Sequence, residues 1–579
     1  MENSSETRPE ADSQEGGWIN SHFTTEVCNM KTLRVCRAEG CYKKYSASSS
    51  HNTFKRHWSK EHRENIRKKS VFLFHDELHT SRLVKLVIDQ QLEYSIVDST
   101  AFKKFCQSLD KNKSILCRQT LSSLINSRKS SLKQLVKGEL KKLGSIALTF
   151  DLWSPSKDGR GFGCISGHYF DRNGDLGSII LEFRRIKHPH DALTMSNFIR
   201  KMIESLGIHK QVISITTDNA SNMEAAISDL KRSNLLTTDT PYGFTHFRCI
   251  AHVLHLGVSA SLKKIKPLIR EVKEVVLAIK SSGKRSEKFK EIQTELIQTG
   301  ELIGLTCPLE LIEDVQHRWN STYQMLNRAF RLRVPISQFL RDTRELHSLG
   351  SIDWSKLGEI IAFLKPFCDL TRDLSSESNC TISLICVMVP KLLDHVSVIY
   401  DDDMLNDIAR TVKSKLTSYV DKMYQPIVLL ATALDPRFKM KSLSDEMRDQ
   451  VLSKLNNMMD KENNHSGVID DSRDLNSDQS IFDDVFAQDV EDELDLYFKS
   501  PCTHRATNVG QFWAVNSKSF PKLSTIARAI LPIQATSVAS ERVFSTCGDL
   551  NVPKRNRLSD SSFENNILLK SWISFINCE

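Results

Sequence analysis

The feature that most constrains the fold is a change of hydrophobic pattern near residue 145. Before it, apolar and basic residues alternate at helical spacing; after it come four short runs rich in Ile, Leu, Phe and Thr, namely SIALTF, GFGCISGHYF, LGSIILEF and VISITT. Such runs are typical of β-strands. The turn residues Asp171, Asn173 and Gly174 separate the second run from the third, so the first three runs are predicted to form a meander.

The fourth run is predicted to join the same sheet by a crossover connection. Between the third and fourth runs lies TMSNFIRKMIESLG, an amphipathic helix pattern that ends at a glycine. A helix in this place allows the next strand to return beside an earlier one. The predicted fold class is therefore α/β, with a mixed sheet.

Helical patterns surround this strand-rich part. Residues 65–145 are predicted to be a small helical region, and from about Leu262 to Phe498 helical periodicity continues without a strand pattern. The last block is again helix-like, and Pro532 is expected to break it in two. A chain of 579 residues has room for several domains, because single cores seldom exceed roughly 250–300 residues.

Charge is distributed unevenly. Residues 55–142 hold 20 Lys and Arg against 9 Asp and Glu, whereas residues 460–496 hold 2 against 13. The basic part favours a polyanionic partner, unless its lysines only solvate exposed helix faces. The acidic stretch 460–492 is predicted to be a flexible tether. Residues 1–27 lack hydrophobic periodicity and are predicted to be disordered.

Composition also limits the cellular compartments in which the chain is expected. No run approaches the roughly 18 uninterrupted apolar residues of a membrane span, so a soluble protein with no membrane partner is expected. The polar start MENSSETRPEADSQEGG lacks the pattern of a secretory signal. We therefore expect a reducing compartment, in which the 14 cysteines are thiols or metal ligands.

Two cysteines and two histidines near the N-terminus have the spacing of a zinc site. Cys36 and Cys41 are followed by His57 and His62, which could supply two thiolates and two imidazoles to a tetrahedral ion. Chance clustering is the alternative. The pattern TFKRHWSKEH predicts a helix with both histidines near one face and four cations around them: Lys55, Arg56, Lys60 and Arg63. Such a finger would present positive charge to DNA.

Two of the predicted strands run into an aspartate, Asp151 after SIALTF and Asp218 after VISITT. If these strands are neighbours, both carboxylates leave the sheet at one edge, as paired divalent ions on a phosphodiester require. The alternative is that each aspartate only forms a turn, with SNME as a capping box from Ser221 to Glu224. A third carboxylate is needed to favour the metal site.

The stretch RCIAHVLHL offers Cys249, His252 and His255 at C-x2-H-x2-H spacing. We do not expect zinc here, because the sequence nearby provides no fourth ligand and catalytic magnesium prefers oxygen.

Seven blocks of the sequence together resemble the hAT superfamily of cut-and-paste DNA transposases. In family order they are LTFDLWSPSKDGRGFGCISGHYF, ITTDNASNM, FRCIAHVLHL, HRWNSTYQML, ALDPRFK, DELDLYF and the C-terminal block from FPKLSTIARAILPIQATSVASERVFS to LLKSWI. The N-terminal Cys/His unit is similar to the BED-type zinc finger that often precedes them. The resemblance extends from about residue 33 to residue 574.

The resemblance implies an RNase H-like catalytic core interrupted by a large all-α insertion, preceded by a small zinc finger and a helical DNA-binding region. The expected organisation is a disordered N-terminus (1–27), a BED-type finger (28–65), a helical DNA-binding and dimerisation region (66–144), the first part of the core (145–260), the insertion (261–498) and the last part of the core with the hAT dimerisation region (505–579).

The family's three catalytic acids fall on Asp151, Asp218 and Glu541. The resemblance implies that the aspartates hold two Mg²⁺ or Mn²⁺ ions and that Glu541 completes their coordination. The expected chemistry is cleavage at the element's ends, a hairpin on the flanking DNA and transfer of the 3′ ends into a target. DNA and a second copy of the chain are the expected partners, with no small-molecule substrate and a nuclear location.

The resemblance also gives roles to three other residues. Trp319 would stack on a base displaced during hairpin formation, unless it is a core residue, and Arg318 would contact phosphate beside it. The family motif retains Cys249 and His252. His252 would orient the active site or touch DNA, unless it is a buried, hydrogen-bonded histidine.

Two other functions stay open at this point. Domesticated relatives keep the architecture, lose mobility and act as dimeric DNA-binding regulators of transcription, although the intact acids favour a transposase. The third hypothesis is a scaffold whose C-terminal block serves protein contacts only. The apolar face of that block could be covered by a second chain; it includes Leu568, Leu569, Trp572 and Ile573.

Overall fold

The computed structural model describes residues 22–28, 31–37, 41, 43–61, 77–109, 115–154, 160–233, 235–236, 242–315, 319–349, 352–465, 492–550 and 559–577. The chain forms two compact units, Met1–Ile125 and Asn126–Glu579. The first contains strands β1 (Phe23–Cys28), β2 (Lys31–Cys36) and β3 (Lys44–Ser46) and helices α1 (His51–Glu61), α2 (Glu77–Asp89) and α3 (Thr100–Leu109). Helix α4 (Arg118–Lys142) crosses the boundary.

The first unit begins with a small antiparallel sheet, β1-β2-β3, packed on α1. Phe23 is 1% exposed, and its ring meets that of Phe54 at 4.9 Å between centroids. The prediction that residues 1–27 are disordered is therefore wrong for residues 23–27. Burial of one aromatic ring and pairing with β2 hold this strand, although the segment lacks the periodicity that predicts one.

The second unit is built on a five-stranded sheet in the order β6-β5-β4-β7-β8. Its strands are β4 (Ile146–Trp153), β5 (Gly161–Phe170), β6 (Leu176–Ile186), β7 (Val212–Thr217) and β8 (Thr245–Arg248). The first three form the predicted antiparallel meander, and β7 and β8 run parallel to β4. The mixed α/β fold class is confirmed. Sequence reasoning missed β8, whose four residues THFR carry no apolar run.

Helix α5 (Ala192–Leu206) makes the predicted crossover from β6 to β7. Its N-cap is Asp191, whose side chain accepts a hydrogen bond from the Thr194 backbone N–H at 2.8 Å. It ends at Gly207, which has φ +67°. Only glycine adopts that left-handed conformation freely, so the glycine in the sequence pattern marks the end of the helix.

Among the described residues after β7, β8 is the only strand, and the other regular elements are helices. The remaining helices are α6 (Ser221–Arg232), α7 (Ile250–Leu262), α8 (Lys266–Lys280), α9 (Gly283–Gln298), α10 (Trp319–Arg331), α11 (Arg333–Arg341), α12 (Trp354–Leu374), α13 (Ile385–His395), α14 (Asp403–Met423), α15 (Pro426–Leu434), α16 (Asp445–His465), α17 (Glu493–Lys499), α18 (Val509–Val515), α19 (Pro521–Ile530), α20 (Val538–Leu550) and α21 (Asp560–Asn577). One large hydrophobic core joins the sheet to helices α7 to α19. None of the helices within the described ranges is long and apolar enough to cross a membrane.

Two boundaries of the helical part bear on the predictions. Helices α19 and α20 are separate, as expected from Pro532. Helix α16 continues to His465, so the prediction of a flexible tether is wrong for residues 460–465. The helix overrides the acidic composition there because Val451 and Leu455, on its earlier turns, are buried. The rest of the predicted tether, up to residue 491, lies outside the described residues.

Helix α21 covers the sheet at β6. Trp572 is 2% exposed, and its indole N–H donates to the Ile180 carbonyl at 2.8 Å. The Ile180 N–H donates to the Ser571 hydroxyl, also at 2.8 Å. Leu568 and Leu569 are buried beside them. This corrects the idea that a second chain covers this apolar face, because β6 of the same chain does so.

Two of the quoted sequence blocks hold each other through buried contacts. From ALDPRFK, the Lys439 ammonium donates to the Tyr497 carbonyl at 2.5 Å and to the Ser500 carbonyl at 2.7 Å. From DELDLYF, the Tyr497 hydroxyl donates to the Ala433 carbonyl at 3.1 Å. These bonds fix α17 to the end of α15, so both blocks stabilise the packing of the helices.

Candidate active site

The sheet register brings Asp151 and Asp218 side by side. Thr149 of β4 pairs with Thr216 of the parallel strand β7. Each aspartate lies two residues beyond its threonine, and neighbouring strands are about 4.8 Å apart. Because side chains alternate between faces with a period of two, both carboxylates belong to the same level and face at this edge of the sheet.

Hydrogen bonds orient both carboxylates. Asp151 Oδ1 accepts from the Leu152 backbone N–H at 2.8 Å, and Asp151 Oδ2 accepts from the Ser537 hydroxyl at 3.4 Å. Asp218 Oδ1 accepts from the Ala220 backbone N–H at 3.2 Å. These bonds leave each carboxylate with lone pairs for a cation.

The capping-box alternative for SNME is wrong. The N-cap of α6 is Ala220, which has no side-chain capping bond, and the helix itself begins at Ser221. Glu224 instead forms an ion pair with Arg248 at the end of β8. The reason is that Asp218 already accepts from the chain entering α6, so the helix start does not need the serine hydroxyl.

Helix α20 carries Glu541 in its first turn and packs on β4 and β5. The Ser540 hydroxyl donates to the Cys164 carbonyl at 3.5 Å, and Cys164 is the cross-strand partner of Asp151. The preceding residues thus hold the helix start against the strand of the first aspartate. Arg542 forms an ion pair with Glu377 and donates a hydrogen bond to the Ser375 carbonyl. Its partners are therefore residues of the loop after α12 and not its neighbour Glu541.

Electrostatic interactions link Asp151 to the other two acids. The pKa of Asp151 is raised from 3.8 to about 8, first by burial, then by the negative charge of Glu541 and, to a lesser degree, that of Asp218. The hydrogen bonds from Leu152 and Ser537 offset only part of this rise. Like charges raise a carboxyl pKa only when they are close, so Glu541 lies near Asp151 although the two residues are 390 positions apart in sequence.

The donor set fits divalent ions that prefer oxygen, such as Mg²⁺ or Mn²⁺. Within the described residues, the oxygens of the three acids do not all lie within 4.8 Å of one another. A pair of ions spaced about 3.5–4 Å apart spans such a site better than one ion held by all three carboxylates.

Cys249 ties the end of β8 to the segment before α20. Its thiol is buried, and it accepts from the Ser537 backbone N–H at 3.4 Å. Burial raises the pKa of this thiol to about 11, so it stays protonated and serves as a hydrogen-bonding side chain at the start of α7. His252 is half-buried one turn later, with its ring 6.2 Å from that of His255. Its predicted role stays a prediction.

Trp319 begins α10 and is 4% exposed within the large core. An indole this buried can stack on a base only after the first turn of α10 moves. Arg318, predicted to contact phosphate, lies outside the described residues, so the roles of both residues stay predictions.

Sequence reasoning missed an aromatic pair beside the acids. The rings of Trp153 and Phe544 stack at 5.9 Å between centroids with 12° between their planes. Trp153 lies two residues after Asp151 on a strand, and Phe544 lies three residues after Glu541 on a helix. Both spacings put the aromatic side chain on the same face of its strand or helix as the acid. This spacing is the sequence signal from which the pair could have been predicted.

The first unit holds the candidate zinc site. The ligand atoms of Cys36, Cys41 and His57 all lie within 4.8 Å of one another, and Cys41 Sγ is 3.6 Å from His57 Nε2. Two thiols and one imidazole are a donor set typical of structural zinc. The fourth predicted ligand, His62, lies outside the described residues.

Of the four predicted cations, Lys55 and Arg56 are exposed on α1, the Lys60 side chain is not described, and Arg63 lies outside the described residues.

Four family models match successive parts of the chain. They are the ZBED1 RNase-like domain at residues 149–241, the ZBED1 RNase-like helical domain at 247–363, the hAT-like transposase, RNase-H fold at 363–468, and the hAT family C-terminal dimerisation region at 493–573. The matched segments include both aspartates, the helical insertion and helix α20 with Glu541.

Whole-length relatives agree with these matches. A protein of Zea mays named as an AC transposase is 26% identical, over 96% of this chain and 75% of that protein. Zinc finger BED domain-containing protein RICESLEEPER 2 of Oryza sativa subsp. japonica is 23% identical, over 87% and 75%. Zinc finger BED domain-containing protein 4 of Homo sapiens is 22% identical, over 85% of this chain and 43% of that protein.

Proposed function

Because the chain belongs to the hAT transposase-like family, we propose that it is a metal-dependent DNA transposase that cleaves the ends of a mobile element, leaves a hairpin on the flanking DNA and transfers the 3′ ends to a target. The observation that carries the proposal is the meeting of Asp151, Asp218 and Glu541 at one edge of an RNase H-like sheet. The effect of Glu541 and Asp218 on the pKa of Asp151 supports it.

The chain's own residues prepare this site for cations. Asp151 and Asp218 approach from the sheet and Glu541 from α20. When bound, a pair of Mg²⁺ or Mn²⁺ ions supplies activation of the attacking oxygen and stabilisation of the leaving oxygen. The Leu152 N–H and the Ser537 hydroxyl fix the orientation of the Asp151 carboxyl. Since the pKa of this carboxyl is raised, Asp151 would lose a proton on binding a cation.

For the first unit we propose a structural zinc ion held by Cys36, Cys41, His57 and His62. Helix α1 would then present Lys55 and Arg56 to DNA phosphates. A nuclear location follows from DNA as substrate. The matched dimerisation region supports a homodimer, and because α21 buries its apolar face on β6, the contact between copies uses other residues of that region.

The test is a cleavage assay on DNA carrying the element's terminal repeats, with Mg²⁺ or Mn²⁺. We expect wild type to nick and then form hairpins, and Asp151→Asn and Glu541→Gln each to lose at least about 100-fold in rate, the scale for removing one preorganised group that stabilises transition-state charge. Glu295→Gln, which alters an exposed carboxylate on α9, is the control and should cleave normally. If wild type binds this DNA but never cuts it, the proposed enzymatic function is wrong.

That outcome would leave the second candidate, a domesticated regulator that binds DNA and does not cleave it. A protein of Talaromyces stipitatus named as a transcriptional regulator, 21% identical over 85% of this chain and 62% of that protein, supports this candidate. A regulator should bind its DNA equally well with Asp151→Asn and with wild type, and neither should respond catalytically to Mg²⁺.

A further inference from the structure

The four residues that lead into α20, Gln534, Ala535, Thr536 and Ser537, are all buried. They connect α19 to the helix that carries Glu541. Each of them is held by at least one hydrogen bond to a part of the chain distant in sequence. We call them the α20 approach.

One set of bonds holds the α20 approach to the sheet side. The Thr216 hydroxyl donates to the Gln534 carbonyl at 2.7 Å, and the Ile250 N–H donates to the Ala535 carbonyl at 3.0 Å. Ser537 bonds to the Cys249 thiol and to Asp151, both at 3.4 Å. These partners come from β4, β7 and the start of α7.

The other set comes from the helical insertion. The Thr536 hydroxyl donates to the Leu374 carbonyl, in the last turn of α12, at 3.2 Å. The Thr381 hydroxyl accepts from the Ala535 N–H at 2.9 Å and donates to the Gln534 side-chain carbonyl at 3.3 Å. Thr381 is 0% exposed and ends the loop of residues 375–381 that follows α12.

Ala535 is therefore clamped between the two parts of the fold. Its N–H is bonded by the insertion through Thr381, and its carbonyl is bonded by the sheet side through Ile250. Glu541 is exposed on the first turn of α20, so its position follows from where the helix starts. At a rise of 1.5 Å per residue the carboxylate is only about 6 Å along the helix from Ser537, and a shift of the approach moves it directly.

We propose that Thr381 is a positioning residue, through which the helical insertion sets the place of Glu541 relative to Asp151 and Asp218. The inference rests on the proposed role of Glu541 as a metal-binding carboxylate. The insertion then belongs to the catalytic machinery, because without the Thr381 hydroxyl the Ala535 N–H loses its bond and the insertion is left with the Thr536–Leu374 bond to hold the α20 approach.

The test compares three full-length variants with wild type. Thr381→Val keeps the shape and removes the hydroxyl, whereas Thr381→Ser keeps the hydroxyl and should restore wild-type behaviour. Thr371→Val is the matched control, since that buried hydroxyl bonds only to the Phe367 carbonyl within α12. Three properties are measured: Mn²⁺ binding without DNA, by electron paramagnetic resonance; the single-turnover nicking rate against Mg²⁺ concentration; and amide hydrogen exchange of residues 534–537.

We expect Thr381→Val to weaken Mn²⁺ binding about 10-fold or more, the scale for residues that orient metal ligands. The Mg²⁺ concentration for half-maximal nicking should rise in parallel, with DNA affinity unchanged. Amide hydrogen exchange of a peptide spanning 534–537 should become faster in this variant and stay as in wild type for Thr371→Val.

The outcomes separate the inference from the proposed function. If wild type neither binds Mn²⁺ at the acids nor nicks DNA, the proposed function is wrong. If wild type does both, and Thr381→Val exchanges faster at 534–537 yet binds Mn²⁺ as wild type does, Thr381 holds the chain without positioning Glu541. If Thr381→Val does not fold, the test passes to Thr381→Ser, which keeps the hydroxyl. A Thr381→Ser variant that fails to bind Mn²⁺ as wild type does would also overturn the inference.

Discussion

At the scale of single residues, Asp151 lies under opposing influences. Burial and the charges of Glu541 and Asp218 raise its pKa to about 8, while two hydrogen bonds favour the charged form. A buried carboxyl that is strained in its charged form is suited to receive a cation, because a cation removes the repulsion. Under the proposed function, the site would therefore bind metal at the expense of its stability without metal.

The first prediction follows from the sign of this shift. The folded state holds a proton on Asp151 up to about pH 8, whereas the unfolded chain releases it near pH 3.8. Without divalent ions, stability contributed by this group is full below about pH 4 and falls as pH rises to about 8. Asp151→Asn lacks this dependence, so it should become more stable than wild type across that window.

The measurement is thermal unfolding of both proteins from pH 4 to 8 in the presence of a chelator. Adding Mg²⁺ at pH 7 should stabilise wild type alone and release about one proton per chain, since metal ligands bind deprotonated. Stability curves of the two proteins that stay parallel over this range would contradict the raised pKa.

The roles of single residues were predictable where they lie at the ends of strands that are neighbours in the sheet. Asp151 and Asp218 each end an apolar run, and a sheet edge brings such ends together. Glu541 was predictable only through the family resemblance, because no local pattern relates it to the aspartates. Thr381 was not predictable, since its two bonds depend on how the helices fold back onto the sheet.

At the scale of elements, α21 shows how an apolar helix face can be misassigned. Its leucines and Trp572 suggested an interface between chains, and they instead cover β6. Periodicity tells which face is apolar, and it does not tell what covers that face. The meander and the crossover helix were predictable because turn residues and a terminal glycine mark them, whereas four-residue β8 has no such marks.

The second prediction tests this packing. Trp572→Ala should destabilise the folded chain by about 3–5 kcal/mol, the usual cost of removing a large buried side chain. Trp572→Phe should cost about 1–2 kcal/mol, mainly for the Ile180 carbonyl left without its partner. Lys570→Ala, at an exposed position of the same helix, should have little effect. Denaturant unfolding measures all three.

The same titrations at two protein concentrations decide between the interpretations. If β6 of the same chain covers Trp572, the loss of stability is independent of concentration. A loss that disappears at high concentration would instead place this tryptophan between two copies.

At the scale of the whole molecule, the chain comprises two compact units with different means of stabilisation. The second has a large hydrophobic core, whereas the sheet and α1 in the first share a small core around Phe23 and Phe54. Cores this small usually require a metal ion or disulfides, which explains why the cysteines and histidine lie together there.

The third prediction concerns the zinc ion proposed for the first unit. Cys36→Ser should lower the zinc content from about one ion per chain to none and unfold the finger, because zinc supplies about 10–16 kcal/mol to the folding of such units. The thermal transition of residues 126–579 should stay unchanged. Metal analysis and calorimetry measure both effects, with Cys117→Ser, an exposed cysteine of the same unit, as control. Zinc retained by Cys36→Ser would contradict the ligand assignment.

The position of the insertion has a consequence for synthesis of the protein. The sheet is complete at Arg248, yet the third acid arrives only with Glu541, after the whole insertion has left the ribosome. A nascent chain can therefore fold its sheet while lacking the third carboxylate of the proposed active site. Any chain that terminates inside the insertion keeps the finger and loses the glutamate, so under the proposed function it would compete for the same DNA ends without cutting them.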